Sequence, residues 1–122
     1  MGEEEPLDLA IIQNQLRLAV NEQTRLNGLY REASIKAADT EADFKIDFSR
    51  ERFAAVSADS KKITAPTAHD IATDATADAY RAYKLAEAEQ DIIKQALFSN
   101  REKQQTLRTL ASSYRMLELG GN

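Results

Sequence analysis

A single proline, Pro66, separates two long stretches of sequence that are otherwise compatible with helix. Its ring prevents a helix from continuing through it and pushes Ala65 out of the helical region of backbone space. Between Pro6 and Gly120 there is no other proline, and Gly28 is the one glycine. The sequence therefore predicts two helical arms joined near residues 64–67, and a connection this short makes the arms antiparallel neighbours.

The apolar residues on both sides of Pro66 recur at helical spacing. Asn27-Gly28 lies inside the first helical stretch, and we expect a kink or break there because glycine is a poor helix former. The predicted organisation is flexible ends at 1–6 and 120–122, an N-terminal helix over 7–28, hairpin arms over 29–63 and 68–119, and a turn over 64–67.

The fold class that follows is all-α, a long antiparallel helical hairpin that resembles a coiled coil. Complementary charges predict a register that places Asp47 opposite Lys84. An elongated two-helix hairpin leaves much apolar surface exposed, so we expect assembly into a homo-oligomeric bundle or, alternatively, a third helix formed by residues 7–27 folding back. The predicted oligomer interface consists of Ile93, Leu97, Leu107, Leu110, Tyr114 and Leu117.

The composition argues against several classes of protein. The chain has no cysteine and one histidine, His69, so we expect neither a disulfide framework nor a metal site. Asp70 and Asp74 beside it fit a solvated helix face better than a cation site. Because no glycine-rich phosphate loop and no nucleophile with a base occurs, we expect no enzymatic activity and no cofactor. We further expect a cytoplasmic protein with no secretory signal and no membrane contact.

The stretch KQALFSNREKQQTLRTLASSYR, residues 94–115, places four cations seven residues apart. The net charge of the chain is -4, yet residues 92–122 hold more basic than acidic side chains. A heptad seam through Ile93, Leu107 and Leu110 would leave these cations in solvent, where they could follow a phosphate backbone or meet an acidic arm of a second copy. Both alternatives stay open at this point. The four cations are Lys94, Arg101, Arg108 and Arg115.

Three segments of the sequence, in this order along the chain, carry a resemblance to a known family. They are LYREASIKAADTEADFKIDFSRERFAA, TDATADAYRAYKLAEAEQDIIKQAL and REKQQTLRTLASSYR, and together with the loop between the first two they extend from Leu29 to Arg115. In helical lengths and residue types they resemble the UvsY-type recombination mediators of tailed phages. Residues 1–28 have no counterpart in this resemblance.

The resemblance implies a non-enzymatic phage protein in the host cytoplasm. Such a protein would bind single-stranded DNA as a homo-oligomer and help a RecA-like recombinase to replace single-strand-binding protein. It also implies that Lys45, Arg50 and Arg52 contact DNA, and that residues 92–118 serve self-association. The alternative function is a phage structural, assembly or inhibitor protein without DNA contact, in which the four cations form an intermolecular salt-bridge seam.

Overall fold

The computed structural model describes residues 8–57 and 63–120, and these residues form three helices. Helix α1 spans Leu9–Ser57, α2 spans Ala65–Ala75 and α3 spans Ala77–Gly120. The all-α prediction is confirmed. Within the described residues, no helix combines the length and apolar content that crossing a bilayer requires.

Helix α1 continues without interruption through Asn27-Gly28. The predicted break is therefore wrong, and so is the alternative in which residues 7–27 fold back as a separate third helix. The glycine costs about 1 kcal/mol relative to alanine, which is small for a helix of 49 residues that buries Leu26 and Ala33 on either side. Packing of the apolar face outweighs the poor propensity of this one position.

Helix α2 begins at Ala65, three residues before the predicted start of the second arm. The hydroxyl oxygen of Thr64 accepts a hydrogen bond from the backbone N–H of Thr67 at 3.3 Å, which makes Thr64 the N-cap. Pro66 lies in the first turn, where its missing N–H removes no intrahelical hydrogen bond. Residues 58–62, which the prediction assigns to the first arm, lie outside the described residues.

Thr76 separates α2 from α3, although the prediction treats residues 68–119 as one helix. Its backbone has φ -110° and ψ 17°, outside the helical range. The Thr76 hydroxyl donates to the carbonyl oxygen of Ala72 at 2.7 Å, and such back-bonding by threonine bends helices. The hydrogen bonds from Thr76 N–H to Ala72 and from Tyr80 N–H to Thr76 bracket this break.

The described residues group into two compact units. The terminal unit contains residues 8–29 and 93–120, and the central unit contains residues 30–57 and 63–92. In the terminal unit, α1 and α3 pack antiparallel, because early residues of α1 contact late residues of α3. The core of this unit consists of Ile12, Ala19, Leu107 and Ala111, with Leu9, Leu16 and Tyr114 packed against it.

Three amide side chains join α1 and α3 inside the terminal unit. Asn100 is 8% exposed, and its Nδ2 donates to the carbonyl oxygen of Ala19 at 2.8 Å and to Oε1 of Gln23 at 3.0 Å. Nε2 of Gln104 donates to the same Gln23 oxygen at 3.2 Å. Each of these amide side chains points towards the opposite helix. The contact between α1 and α3, which we call the seam, is therefore polar around Asn100 and Gln104 and apolar in the core described above.

In the central unit, α1 also packs antiparallel to α3. Gln90 donates to the hydroxyl of Ser34 at 3.0 Å, and the hydroxyl of Tyr83 lies 3.4 Å from Glu41. These contacts are displaced by about one heptad from the predicted register, in which Lys84 faces Asp47. A shift of seven residues brings the same heptad positions of both helices into contact. The pattern of charges along the sequence therefore could not distinguish the predicted register from the observed one. Helix α2 adds two fully buried residues, Ala68 and Ala72.

The face of α3 that packs against α1 consists of two rows of residues, and one of these rows differs from the prediction. Leu97 and Ala111 are buried, whereas Leu110 is 39% exposed and Leu117 is 72% exposed. The prediction placed leucines inside and overlooked Asn100 and Gln104, which are polar. The seam residues of α3 alternate in spacing between three and four, as in a coiled coil: Tyr83, Ala86, Gln90, Ile93, Leu97, Asn100, Gln104, Leu107, Ala111 and Tyr114.

Replacing Gly28 with alanine tests the continuity of α1. A Cβ built at Gly28 would meet nothing within 4 Å, so the methyl group fits without rearrangement. We expect Gly28→Ala to raise the free energy of unfolding by about 0.5–1 kcal/mol. Gly28→Pro should destabilise the protein by about 3 kcal/mol or more. Thermal unfolding followed by circular dichroism measures both; a proline variant as stable as wild type would contradict a continuous helix.

Replacing Asn100 tests the polar contacts of the seam. Asn100→Ala leaves the Ala19 carbonyl and one interaction of Gln23 without a buried donor, so we expect a loss of about 1–3 kcal/mol in the free energy of unfolding. The matched control is Asn14→Ala on α1, whose exposed side chain accepts from Arg17 on the same helix. Urea titration of the two variants compares them, and equal small losses would show that the amide contacts do not matter.

Candidate nucleic-acid interface

The four sequence-predicted cations lie in one row along α3, which we call the basic row: Lys94, Arg101, Arg108 and Arg115. Each directly follows a seam residue, so the row flanks the contact with α1. All four residues are exposed. Successive members are separated by about 10.5 Å along the helix. The row is therefore a continuous line of positive charge beside the seam.

The α1 residues that face Lys94, Arg101 and Arg108 are uncharged. In the central unit, Lys36 and Glu89 each precede a seam residue and form an ion pair at 3.6 Å, so equivalent positions of the two antiparallel helices meet. By the same geometry, the residues that follow the buried Ile12, Ala19 and Leu26 of α1 face these three cations in the terminal unit. They are Gln13, Val20 and Asn27.

Among the described residues, Lys94, Arg101 and Arg108 of the basic row consequently have no acidic partner on α1. Coiled coils commonly place opposite charges at the positions that flank the seam. Here, none of the ion pairs formed among the described residues involves Lys94, Arg101 or Arg108. Arg108 instead donates to Oε1 of Gln104 at 3.2 Å, which orients its guanidinium without cancelling the charge. These three cations can therefore bind an external anion without breaking an ion pair between described residues.

The other side of the terminal unit has an acidic residue beside its cations. Glu22 forms a bidentate pair with Arg25, with distances of 2.8 and 2.6 Å. The hydrogen bond to Arg25, with the positive charges of Arg25 and Lys103, lowers the pKa of the Glu22 carboxyl below its ordinary value. Glu22 thus offsets part of the positive charge on this side, so the two sides of the same helix pair differ in their capacity to bind an anion.

The cations that the family resemblance assigns to DNA contact lie in the central unit and are arranged differently. Lys45 lies 3.1 Å from Glu41 and Arg50 lies 3.8 Å from Asp47, both within α1. Lys45 and Arg52 are seven residues apart and lie on one side of α1. Arg50, which comes after the half-buried residues 47–48, lies on a different side of the helix. The structure therefore does not bring these three cations together on one face.

The predicted interface residues divide into two groups. Ile93, Leu97, Leu107 and Tyr114 lie in the seam with α1, where the chain itself covers them. Leu110 and Leu117 are exposed on α3 and are accessible to a second copy. Met116 and Leu119, at 72% and 78% exposure, extend the apolar end of this helix. The last two turns of α3 thus carry three strongly exposed apolar side chains, Met116, Leu117 and Leu119, that a second copy could cover.

An aromatic cluster in the central unit was missed by sequence reasoning. Phe44 of α1 lies with ring centroids 5.1 Å from Tyr80 and 6.1 Å from Tyr83, both on α3. Phe48 contacts the edge of the His69 imidazole on α2 at 5.2 Å. Spacing of four between Phe44 and Phe48 places both rings on one side of α1, a signal that could have been used if α2 had been recognised as a separate helix.

The side of the cluster away from α2 is anchored by polar contacts. The Tyr83 hydroxyl donates to Glu87 at 3.2 Å, and burial together with this hydrogen bond raises the pKa of the phenol. The ammonium of Lys84 lies over the rings of Tyr80 and Tyr83, at 5.6 and 5.0 Å from their centroids. These contacts fix the rings in place, because cation–π and hydrogen-bond geometry constrain the phenol planes.

A groove of about 710 Å³ opens beside the aromatic cluster. It is bounded by the rings of Phe44, Phe48 and Tyr80 and by His69 and Arg81. No group of three potential metal-ligating side chains occurs among the residues that the structure describes. The groove is instead suited to a flat, apolar group with a negative neighbour.

Comparison with known proteins gave no match: no protein-family model, no curated protein sequence and no solved structure shows significant similarity to this chain. The proposed function therefore rests on the chemistry of the basic row and of the aromatic groove themselves.

Proposed function

We propose that this protein binds single-stranded DNA through the basic row of α3. The observation that supports this function is that the row has four exposed cations and that the α1 residues facing three of them, Lys94, Arg101 and Arg108, are uncharged. Anionic phosphates are the complement of such a line of charge, and Gln105 and Ser112 on the next exposed row of α3 add hydrogen-bonding groups.

The proposed biological role is that of a recombination mediator, which rests on the resemblance of the sequence to UvsY-type proteins. In this role the protein holds a single strand while a RecA-like recombinase replaces single-strand-binding protein on it. The protein supplies no catalytic group and needs no cofactor. Its contribution is the geometry and multiplicity of weak contacts with the strand.

We further propose that the protein acts as a homo-oligomer. The exposed apolar side chains of Leu110, Met116, Leu117 and Leu119 support this, because burial of such residues against a second copy is favourable. Several basic rows in one assembly can bind one strand together, so the overall affinity exceeds that of a single row by orders of magnitude. If the rows instead met acidic surfaces of neighbouring copies, the protein would be an assembly protein without DNA contact.

Neutralising two members of the basic row should weaken DNA binding. For wild type, binding of a fluorescent strand of roughly 30 nucleotides should weaken with salt at a log–log slope near about -3, the value for four phosphates contacted on a single strand. Arg101→Gln/Arg108→Gln should halve this slope and lower the affinity roughly 50-fold at 50 mM salt. Fluorescence anisotropy measures both quantities.

The matched control removes two cations from the side of the same unit that carries Glu22. Arg25→Gln/Lys103→Gln changes the net charge by the same amount but leaves the basic row intact. We expect its slope to stay near that of wild type. Equal losses in the two double variants would show that total charge, and not the row, governs binding. Absence of binding by wild type at low salt would rule out the proposed function.

The exposed apolar side chains at the end of α3 predict that polar replacements there lower the mass of the oligomer. Leu117→Ser/Leu119→Ser removes apolar surface that is exposed in the single chain, so we expect a lower mass by light scattering with unchanged helix content. Leu18→Ser, which alters a residue that is 53% exposed on α1, serves as control. A wild-type protein that is monomeric at all concentrations would contradict oligomerisation, and a variant of undiminished mass would place the interface elsewhere.

A further inference from the structure

The groove of the central unit combines flat apolar walls with positive charge. Phe48 lines both this groove and a smaller adjoining hollow, which also includes Phe53 and Arg52. Phe53 is 73% exposed and Tyr80 is 46% exposed, so the rings are accessible without opening the fold. Aromatic faces of this kind hold unpaired bases, since every base offers a π-face for stacking.

The charges at the groove select for an anionic ligand. Arg81 borders the groove and Arg52 borders the adjoining hollow, whereas none of the described residues that line either of them is a carboxylate. Arg81 is paired with Asp78 at 3.2 Å, but this Asp78 side chain is 98% exposed. A surface ion pair contributes about 0–1 kcal/mol, so a phosphate can compete for the guanidinium, to which it binds in bidentate fashion.

Two threonine side chains that line the groove offer hydrogen-bond acceptors. The hydroxyl of Thr73 donates to the carbonyl oxygen of His69 at 2.8 Å, and that of Thr76 donates to Ala72 at 2.7 Å. Because both hydroxyl hydrogens are engaged, the two oxygens offer lone pairs to a ligand. Bases carry ring N–H or exocyclic amino donors that suit such acceptors, whereas an aliphatic side chain of a partner helix would leave them unsatisfied.

We propose that this groove binds an unstacked base of the single strand. The base stacks on Phe48 and Tyr80, and the neighbouring phosphates pair with Arg81 and Arg52. This inference rests on the proposed function, because it assumes that the ligand is single-stranded DNA. It adds a second kind of contact, since the basic row binds phosphate charge whereas the groove binds the base itself.

A comparison of two strands with the same phosphates separates base binding from charge binding. One strand is a thymidine 12-mer, and the other has the same length but consists of the stable tetrahydrofuran abasic analogue. We expect wild type to prefer the thymidine strand about five- to 100-fold at equal salt, the range expected when one base stacks on aromatic side chains. Phe48→Leu should abolish this preference and leave the affinity for the abasic strand unchanged.

Three further variants make the test specific. Phe48→Tyr keeps a ring and should keep the preference, and Ile46→Ala, which alters an exposed neighbour on α1 outside the groove, should behave as wild type. Arg101→Gln/Arg108→Gln should weaken both strands by the same factor and leave their ratio intact. Circular dichroism confirms that each variant is folded.

The outcomes distinguish the groove from the basic row. If wild type binds both strands equally and with steep salt dependence, the basic row is supported and the base-binding groove is overturned. A preference for thymidine that survives in Phe48→Leu also overturns the groove, because the base is then bound elsewhere. If neither strand binds, both the proposed function and this inference fail.

Discussion

The amide contacts between α1 and α3 determine which surfaces the terminal unit presents. The amides of Asn100 and Gln104 meet Gln23 inside a seam whose other members are mostly apolar. Sliding α3 by one heptad would separate these amides, and buried amides without partners are costly. Polar residues at seam positions are known to specify register in coiled coils at some expense of stability. Here the amide contacts favour the observed register.

The position of the basic row follows from that register. Because Asn100 and Leu107 point into the seam, the residues after them flank it, and the neutral side of α1 comes to face them. A different row of α3 in the seam, such as the one containing Leu110, would have turned these cations to the back of the helix. The electrostatic character of this surface is thus a consequence of which polar residues are buried.

The sequence was sufficient for the fold class and for the positions of the main helices, because Pro66 and long helical periodicity are strong local signals. It also identified the four cations of the basic row. It could not identify the buried row of α3, since that required choosing Asn100 and Gln104 over Leu110 against their hydropathy. The break at Thr76 has no proline or glycine to announce it, and threonines that make the same side-chain hydrogen bond lie within unbroken helices. The aromatic groove depends on that break, and so it was missed.

The short length of α2 has a consequence for the dynamics of the central unit. A helix of 11 residues is marginal on its own in water, and this one buries only the small side chains of Ala68 and Ala72 fully. Their loss to solvent costs little, so we expect α2 to detach at a lower free energy than α1 or α3 and to exchange its amide hydrogens first. His69 and Thr73 form one wall of the groove, so the groove loses this wall when α2 detaches and regains it when α2 refolds. The lifetime of the intact site is then set by local unfolding of α2.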